Sequence, residues 1–338
     1  MTKEKLKRIS MRLGKYILIT VGTLAALIFV LLYVGVANPR QDVAWGVNFS
    51  EKHTINLHLD WKNTYLAILD DLKARKLKVA VHWDFVEPKE KEFSFADLDW
   101  QMSEAGKRGA GVVLAIGMKT PRWPECHIPD WAKSMDKQKQ QDEITAYLQA
   151  VVARYKSDPA LKGWQVENEP YFQFGDCPWK DDAYLEKEVA LVRSLDPAHP
   201  ILITDSGEYS TWFKPARLGD VVGSTLYRTV WFKQLGMYAD YLWSPLFYKR
   251  HAELIKLLFD KDVIDAELQA EPWGPVLYYD MTVAEQMKSI SVGKLRANID
   301  FARRTDMKEA YFWGAEWWYW MKTTQNDPSF WNEAKKVF

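Results

Sequence analysis

Apolar and polar positions along the 338-residue chain follow two regimes. From Tyr16 to Val36 there is no charged residue, most positions are Leu, Ile, Val or Ala, and no polar face interrupts the run. A bilayer core needs about 20 apolar residues as helix, so this stretch predicts a transmembrane helix. A cleaved secretory signal has a shorter apolar region, ~7–15 residues, yet Gly35-Val36-Ala37 supplies small residues at which cleavage after Ala37 would be feasible. The expected segments are a basic stretch at 1–15, a span at 16–36, a linker at 37–42 and one large domain at 43–338.

Beyond residue 43 strand-like and helix-like patterns alternate. Strands are predicted at Ala44–Phe49, Lys78–Val86, Gly111–Met118, Gly163–Glu169, Ile201–Asp205, Val221–Thr229, Ile264–Glu271 and Ala310–Ala315. Helices are predicted between them at 61–76, 97–108, 137–155, 183–195, 211–218, 246–259 and 283–304, with a short closing helix at 328–336. Strands separated by helices imply a parallel sheet. Eight such units fit a closed (β/α)8 barrel of ~250 residues plus insertions. An open doubly wound sheet would carry a Gly-rich turn after its first strand, but Asn48-Phe49-Ser50-Glu51-Lys52 has no glycine. The aromatic segment Val230–Trp243 has two open roles, capping a cleft or facing a membrane.

Charge sharpens the division. The 45 Lys and Arg balance the 45 Asp and Glu, but residues 1–37 hold six basic residues (Lys3, Lys5, Lys7, Arg8, Arg12, Lys15) against Glu4 alone. Basic residues before an apolar span place that side in the cytoplasm, and the large domain outside it. The balanced total argues against a nucleic-acid binder, which needs a basic surplus on one face. Seventeen Trp and 16 Tyr are an unusual load, suited to stacking on the apolar faces of sugars.

In a barrel of this kind chemistry sits at the C-terminal ends of the strands. The fourth strand ends Glu167-Asn168-Glu169-Pro170 and the seventh ends Ala270-Glu271-Pro272-Trp273. Proline holds the preceding residue extended and stops the ladder, so Glu169 and Glu271 are expected at the barrel mouth, facing each other. Two carboxyl groups flanking a sugar carbon are what glycoside hydrolysis needs, and a separation of ~5–5.5 Å makes the second a nucleophile with retention of configuration. By two-residue alternation, Glu267 competes with Glu271 and Glu167 with Glu169. Asn168 and Glu169 cannot both point inward on a regular strand, so the strand must end or bulge there.

At these residues the chain resembles the clan A glycoside hydrolases, the superfamily of cellulase-like and β-galactosidase-like barrels. Asn168-Glu169-Pro170 and Glu271 match its pattern at the ends of strands 4 and 7. The resemblance implies Glu169 as acid/base, Glu271 as nucleophile and Asn168 as the ligand of the hydroxyl beside the reacting carbon. It implies further that Tyr227, after strand 6, contacts the nucleophile and that Trp313, ending strand 8, floors the sugar site. Trp83-Asp84-Phe85-Val86-Glu87-Pro88 resembles the strand-2 signature of the clan, and Thr120-Pro121-Arg122-Trp123 resembles what often follows its strand 3. Lys78 stands where many members have an Arg that supports the nucleophile, and His82 is expected to share that task.

Trp83, Trp123, Trp273, Trp313, Trp317 and Trp318 are candidates for a sugar-stacking mouth, with core packing as the alternative for each. The cysteines, Cys126 after strand 3 and Cys177 after strand 4, should be neighbours, and outside the cytoplasm they can form a disulfide. The sequence offers neither a P-loop nor His-Glu-x-x-His, and the proposed reaction needs no metal or cofactor. The expected function is a membrane-anchored retaining glycosidase or transglycosylase acting on a β-linked carbohydrate. The alternative is an inactive barrel that binds glycans or organises an envelope.

Overall fold

The computed structural model describes the backbone of residues 3–338 and the side chains of residue 4 and of 11 onward. The basic side chains Lys3, Lys5, Lys7 and Arg8 lie outside the described residues. Helix α1 (Lys3–Tyr33) contains an apolar stretch from Met11 to Tyr33, 23 residues with mean hydropathy 2.4, and only its last residues, Leu32 and Tyr33, pack partly against the barrel. At 1.5 Å per residue that is about 35 Å, enough to cross a hydrocarbon core of about 30 Å. The helix ends at Tyr33 rather than Val36, because Gly35 turns the chain with φ +144°.

The remainder is β1 (Ala44–Phe49), α2 (Glu51–Asn56), α3 (Trp61–Asp70), β2 (Lys76–Ala80), α4 (Trp83–Val86), α5 (Ala96–Lys107), β3 (Gly111–Ile116), α6 (Lys137–Tyr155), β4 (Leu161–Val166), α7 (Asp182–Leu195), β5 (Ile201–Asp205), α8 (Phe213–Leu218), β6 (Val221–Leu226), the hairpin β7 (Thr229–Phe232) and β8 (Met237–Asp240), α9 (Pro245–Phe259), β9 (Asp262–Gln269), α10 (Val283–Gln286), α11 (Val292–Arg304), β10 (Glu309–Trp313), α12 (Ala315–Thr323) and α13 (Ser329–Ala334). Eight parallel strands close in the order β1-β10-β9-β6-β5-β4-β3-β2. This is the (β/α)8 barrel, with β9 and β10 as its seventh and eighth strands.

Local chemistry explains the boundaries. Helix α6 starts where the Asp136 side chain accepts the Lys139 amide, and α9 where Ser244 accepts that of Phe247. The expected helix at 283–304 is two helices, because Ser291 turns its side chain to the Lys294 amide and starts α11 afresh. Strand β6 stops at Leu226, short of the expected Thr229. There the Gln269 side chain takes the amides of Arg228 and Thr229, and Glu208 takes that of Tyr227. The aromatic segment that follows is the β7–β8 hairpin, with Thr229 opposite Asp240. Helix α12, which follows β10, was outside the expected set; its Trp317 and Trp318 are fully buried.

Strand β9 shifts register between its two neighbours. Asp265 pairs with Ser224 but Glu267 with Thr225, and on the other side Ala310 pairs with Asp265 but Phe312 with Leu268. A bulge of this kind re-aims a side chain, and here it lies directly before Glu267.

Candidate active site

Strand β4 ends at Val166, and the next residues leave the extended conformation. Glu167 has φ +58° and Glu169 φ +40°, a region uncommon for residues other than glycine and concentrated at functional sites. The two competing glutamates thereby separate. Glu167 accepts the Met118 and Lys119 amides at 2.7 Å each and ties β4 to the end of β3. Glu169 turns into the mouth. Its amide is held by Thr204 Oγ1 at 2.9 Å, its carbonyl by Lys119 Nζ at 3.0 Å, and its Oε1 accepts from Thr225 Oγ1 at 3.4 Å. Asn168 also reaches the mouth. Its Nδ2 donates to Glu125 Oε2 at 3.0 Å and its Oδ1 accepts from Gln165 at 2.9 Å.

The partner of Tyr227 is not the expected one. Its hydroxyl donates to Glu267 Oε2 at 3.1 Å, and Lys78 Nζ donates to Glu267 Oε1 at 3.4 Å from within the barrel. Lys78 and Glu267 are both buried. Glu267 is also the register partner of Thr225, whose hydroxyl meets Glu169. Thus the two contacts expected of a nucleophile, Tyr227 and the strand-2 cation, converge on Glu267.

Glu271 lies four residues on and is held differently. Arg122 Nη1 donates to its Oε1, while Arg122 Nη2 donates to Glu316 Oε2 at 3.0 Å. Tyr278 donates to Glu271 Oε2 at 3.1 Å, and His53 Nε2 lies 3.8 Å from that oxygen. The Arg122 guanidinium stacks on Trp313 at 4.0 Å. The expected contact of Tyr227 with Glu271 is therefore corrected. The physical reason is the bulge and strand end, which leave Glu267 aimed into the barrel and Glu271 beyond its rim.

Two adjoining cavities form one cleft. One, of about 300 Å³, is lined by Asn168, Glu169, Tyr227 and Glu267; the other, of about 520 Å³, by Arg122, Glu271 and Trp123. Glu125, Trp273 and Trp313 line both. Trp123 is exposed at the rim. Other expected mouth residues are elsewhere. Trp83 is fully buried and donates to Glu87 at 2.8 Å, so it packs the core. Trp317 and Trp318 are core residues whose indoles donate to Gln286 and to the Ala270 carbonyl. His82 bonds Ser50 at 2.8 Å and Thr120 at 2.9 Å, so it braces the loops and does not share the support of the nucleophile. Cys126 and Cys177 are joined by a disulfide that ties the loop after β3 to the loop after β4.

The electrostatics divide the carboxyl groups. Burial pushes the Glu169 pKa well above the ordinary carboxyl value; the Glu267 charge pushes it further, Lys119 opposes, and Glu125 and Glu208 add to the rise. The shift favours the protonated form of Glu169. Burial is also the first cause that raises Glu125, Glu208 and Glu271 to about 7. Burial lowers Lys78, and Glu267 is the charge that most opposes this. For Arg122, burial acts downward, but Glu271 and Glu316 outweigh it and the net shift is upward. Among the described residues, no group of three or more His, Cys, Asp or Glu is arranged to hold a metal ion.

Sequence reasoning missed Arg122, Glu125 and Glu208 as site residues. Arg122 and Glu125 follow β3, and Glu208 follows β5 next to Gly207, where a Cβ would fall 1.8 Å from the Thr225 carbonyl. That close approach brings the Glu208 loop under Thr225.

Known proteins are similar to parts of this chain. A family model described as beta-galactosidase, of glycoside hydrolase family 42, matches residues 66–186. Mannan endo-1,4-beta-mannosidase F of Aspergillus fumigatus is 30% identical over 121 residues, which cover 32% of this chain and 26% of that protein. Mannan endo-1,4-beta-mannosidase A of Emericella nidulans is 30% identical over 112 residues, covering 32% and 29% respectively. Over these stretches the chain is similar to glycoside hydrolases of clan A. The matched part spans under a third of these curated relatives. Among solved structures, a beta-galactosidase of Halorubrum lacusprofundi superposes with TM-score 0.60 at 13% identity, over 87% of this chain and 57% of that one. The endo-beta-1,4-mannanase of Thermotoga petrophila superposes with TM-score 0.57 at 15% identity, over 82% and 69%. Both share the fold.

Proposed function

We propose that the chain is a retaining glycoside hydrolase held at the membrane by α1, with its barrel outside the cytoplasm, acting on a β-linked polysaccharide. Glu169 serves as acid/base and Glu267 as nucleophile. The observation that carries this reading is the convergence of Tyr227 and Lys78 on Glu267, beside a Glu169 whose pKa burial and the Glu267 charge raise.

In the first step a Glu267 oxygen attacks the anomeric carbon. The bond to the leaving oxygen breaks, and that oxygen takes the Glu169 proton. Tyr227 and Lys78 fix the nucleophile, and Asn168 addresses the adjacent hydroxyl. In the second step Glu169, now ionised, takes a proton from water, which attacks the same carbon and releases Glu267. An acceptor sugar in place of water would give transglycosylation.

The second cavity, with Trp123, Trp273 and Trp313, suits a chain that continues past the cleaved bond, which favours internal cleavage. The mannanase and beta-galactosidase names among the relatives make β-mannan and β-galactosides the first substrates to test. Hydrolysis of either by the full-length protein, abolished in both Glu169→Gln and Glu267→Gln, is the expected result. Wild-type turnover in both variants would overturn the assignment, and inactivity of the wild type across a broad β-glycan panel would favour the non-catalytic barrel. Trapping of substrate label on neither carboxylate would remove the retaining step.

A further inference from the structure

The hairpin strap from Thr229 to Trp243 touches two things at once. Over the cleft, Trp231 lines both cavities, Phe232 and Tyr241 line the one that holds Glu169 and Glu267, and Tyr238 reaches across to donate to Glu285 at 2.8 Å. At its root, Trp243 stacks on Phe247 at 4.5 Å, and both rings meet Tyr33, the last residue of α1, at 6.4 and 6.0 Å.

The linker after α1 is docked as well. Arg304 donates to the Ala37 carbonyl at 3.2 Å, and Arg40 pairs with Asp306 at 2.8 Å. The exit of the helix is therefore fixed against the side of the barrel on which the strap is rooted. Between Tyr241, in the cleft wall, and Trp243, on the anchor, Leu242 is 93% exposed, and Leu235 and Met237 in the hairpin are 67% and 51% exposed. Aromatic rings at the end of a membrane span mark the headgroup level, and exposed apolar residues beside such a ring are those that enter the boundary of a bilayer.

We propose that the strap rests on the same bilayer that holds α1, so that the cleft opens at the membrane surface and receives glycans tethered at or emerging from it. This rests on the anchoring proposed above. The continuity from Tyr33 through Trp243 to Leu242 favours the bilayer over a second copy of the chain as the occupant of the apolar strap.

The sequence supplies a clean probe. All 17 Trp lie at or after Trp45 and α1 has none, so quenching by brominated lipid reports contact of the barrel alone. The full-length protein would be reconstituted in phosphatidylcholine vesicles with or without bromine on the upper acyl chain. The expected result is a loss of tryptophan emission in brominated vesicles, most of it removed by Trp243→Phe and reduced by Leu242→Asp. No quenching in a protein that resists alkaline carbonate extraction would overturn the strap contact while leaving the anchor. Quenching untouched by Trp243→Phe would place another face on the membrane and overturn the proposal too. Release by carbonate would overturn the anchoring itself, and the strap contact with it.

Discussion

Tyr227 gives its hydroxyl hydrogen to Glu267 rather than to Glu271. The difference of four residues moves the proposed nucleophile from a position beyond the end of β9, clamped by Arg122, to one on the strand, supported by Lys78.

Lys78 should therefore be required for both stability and rate. Lys78→Met leaves a buried carboxylate without its cation, a change that costs about 3–5 kcal/mol. Turnover should fall by about 10²–10³, the range for losing one preorganised electrostatic partner. Lys78→Arg keeps the charge and should recover part of both. Thermal unfolding and kcat measured on the same samples check this; full activity in Lys78→Met would remove Lys78 from the site.

The alkaline limb of activity should follow Glu169. The proposed acid works protonated, so kcat/KM falls as pH rises through its elevated pKa. Glu125 is one of the carboxylates that raise it. Glu125→Gln removes that charge, lowers the Glu169 pKa and should move the limb to lower pH. An unmoved limb would separate the titration from Glu169.

Stability should decline toward alkaline pH for the same physical reason. Glu125, Glu208 and Glu271 hold their protons to about 7 in the folded barrel against an ordinary value of 4.5. A raised carboxyl pKa gives stability that is complete below the ordinary value and lost as pH rises through the folded value, about 1.4 kcal/mol per unit of displacement. Denaturant unfolding should show a lower free energy at about pH 8 than at about pH 5. Glu208→Gln should flatten that dependence.

The disulfide closes a 51-residue separation. The chain-entropy relation assigns a loop of that length about 4 kcal/mol. Cys126→Ser should lower the unfolding midpoint and raise KM more than it lowers kcat, because the loops it ties line the cleft while Glu169 is held by Thr204, Lys119 and Thr225. A fall in kcat alone would argue against a role in the cleft wall.

The barrel was legible because its strands are near-continuous apolar runs and its helices amphipathic. Predicted limits for β5 and α6 coincide with those observed. What the sequence could not reveal were side-chain events at the strand ends. The left-handed residues at Glu167 and Glu169, the bulge before Glu267 and the capture of the Arg228 and Thr229 amides by Gln269 all depend on neighbours distant in the chain. Glu267 and Glu271 share a parity, so alternation alone could not choose between them. Burial likewise decided the Trp residues. Trp273 and Trp313 line the cleft, whereas Trp83, Trp317 and Trp318 fill the core, and no local pattern distinguishes the two sets.

The most direct test of the central claim is the site of a trapped glycosyl-enzyme. Incubation with activated 2-deoxy-2-fluoro β-glycosides slows release of the covalent intermediate, and fragmentation of the peptide Asp262–Lys288, which contains both glutamates, locates the sugar. The account predicts the sugar on Glu267, with labelling lost in Glu267→Gln and retained in Glu271→Gln. A sugar on Glu271, with Glu267 unmodified, would contradict it.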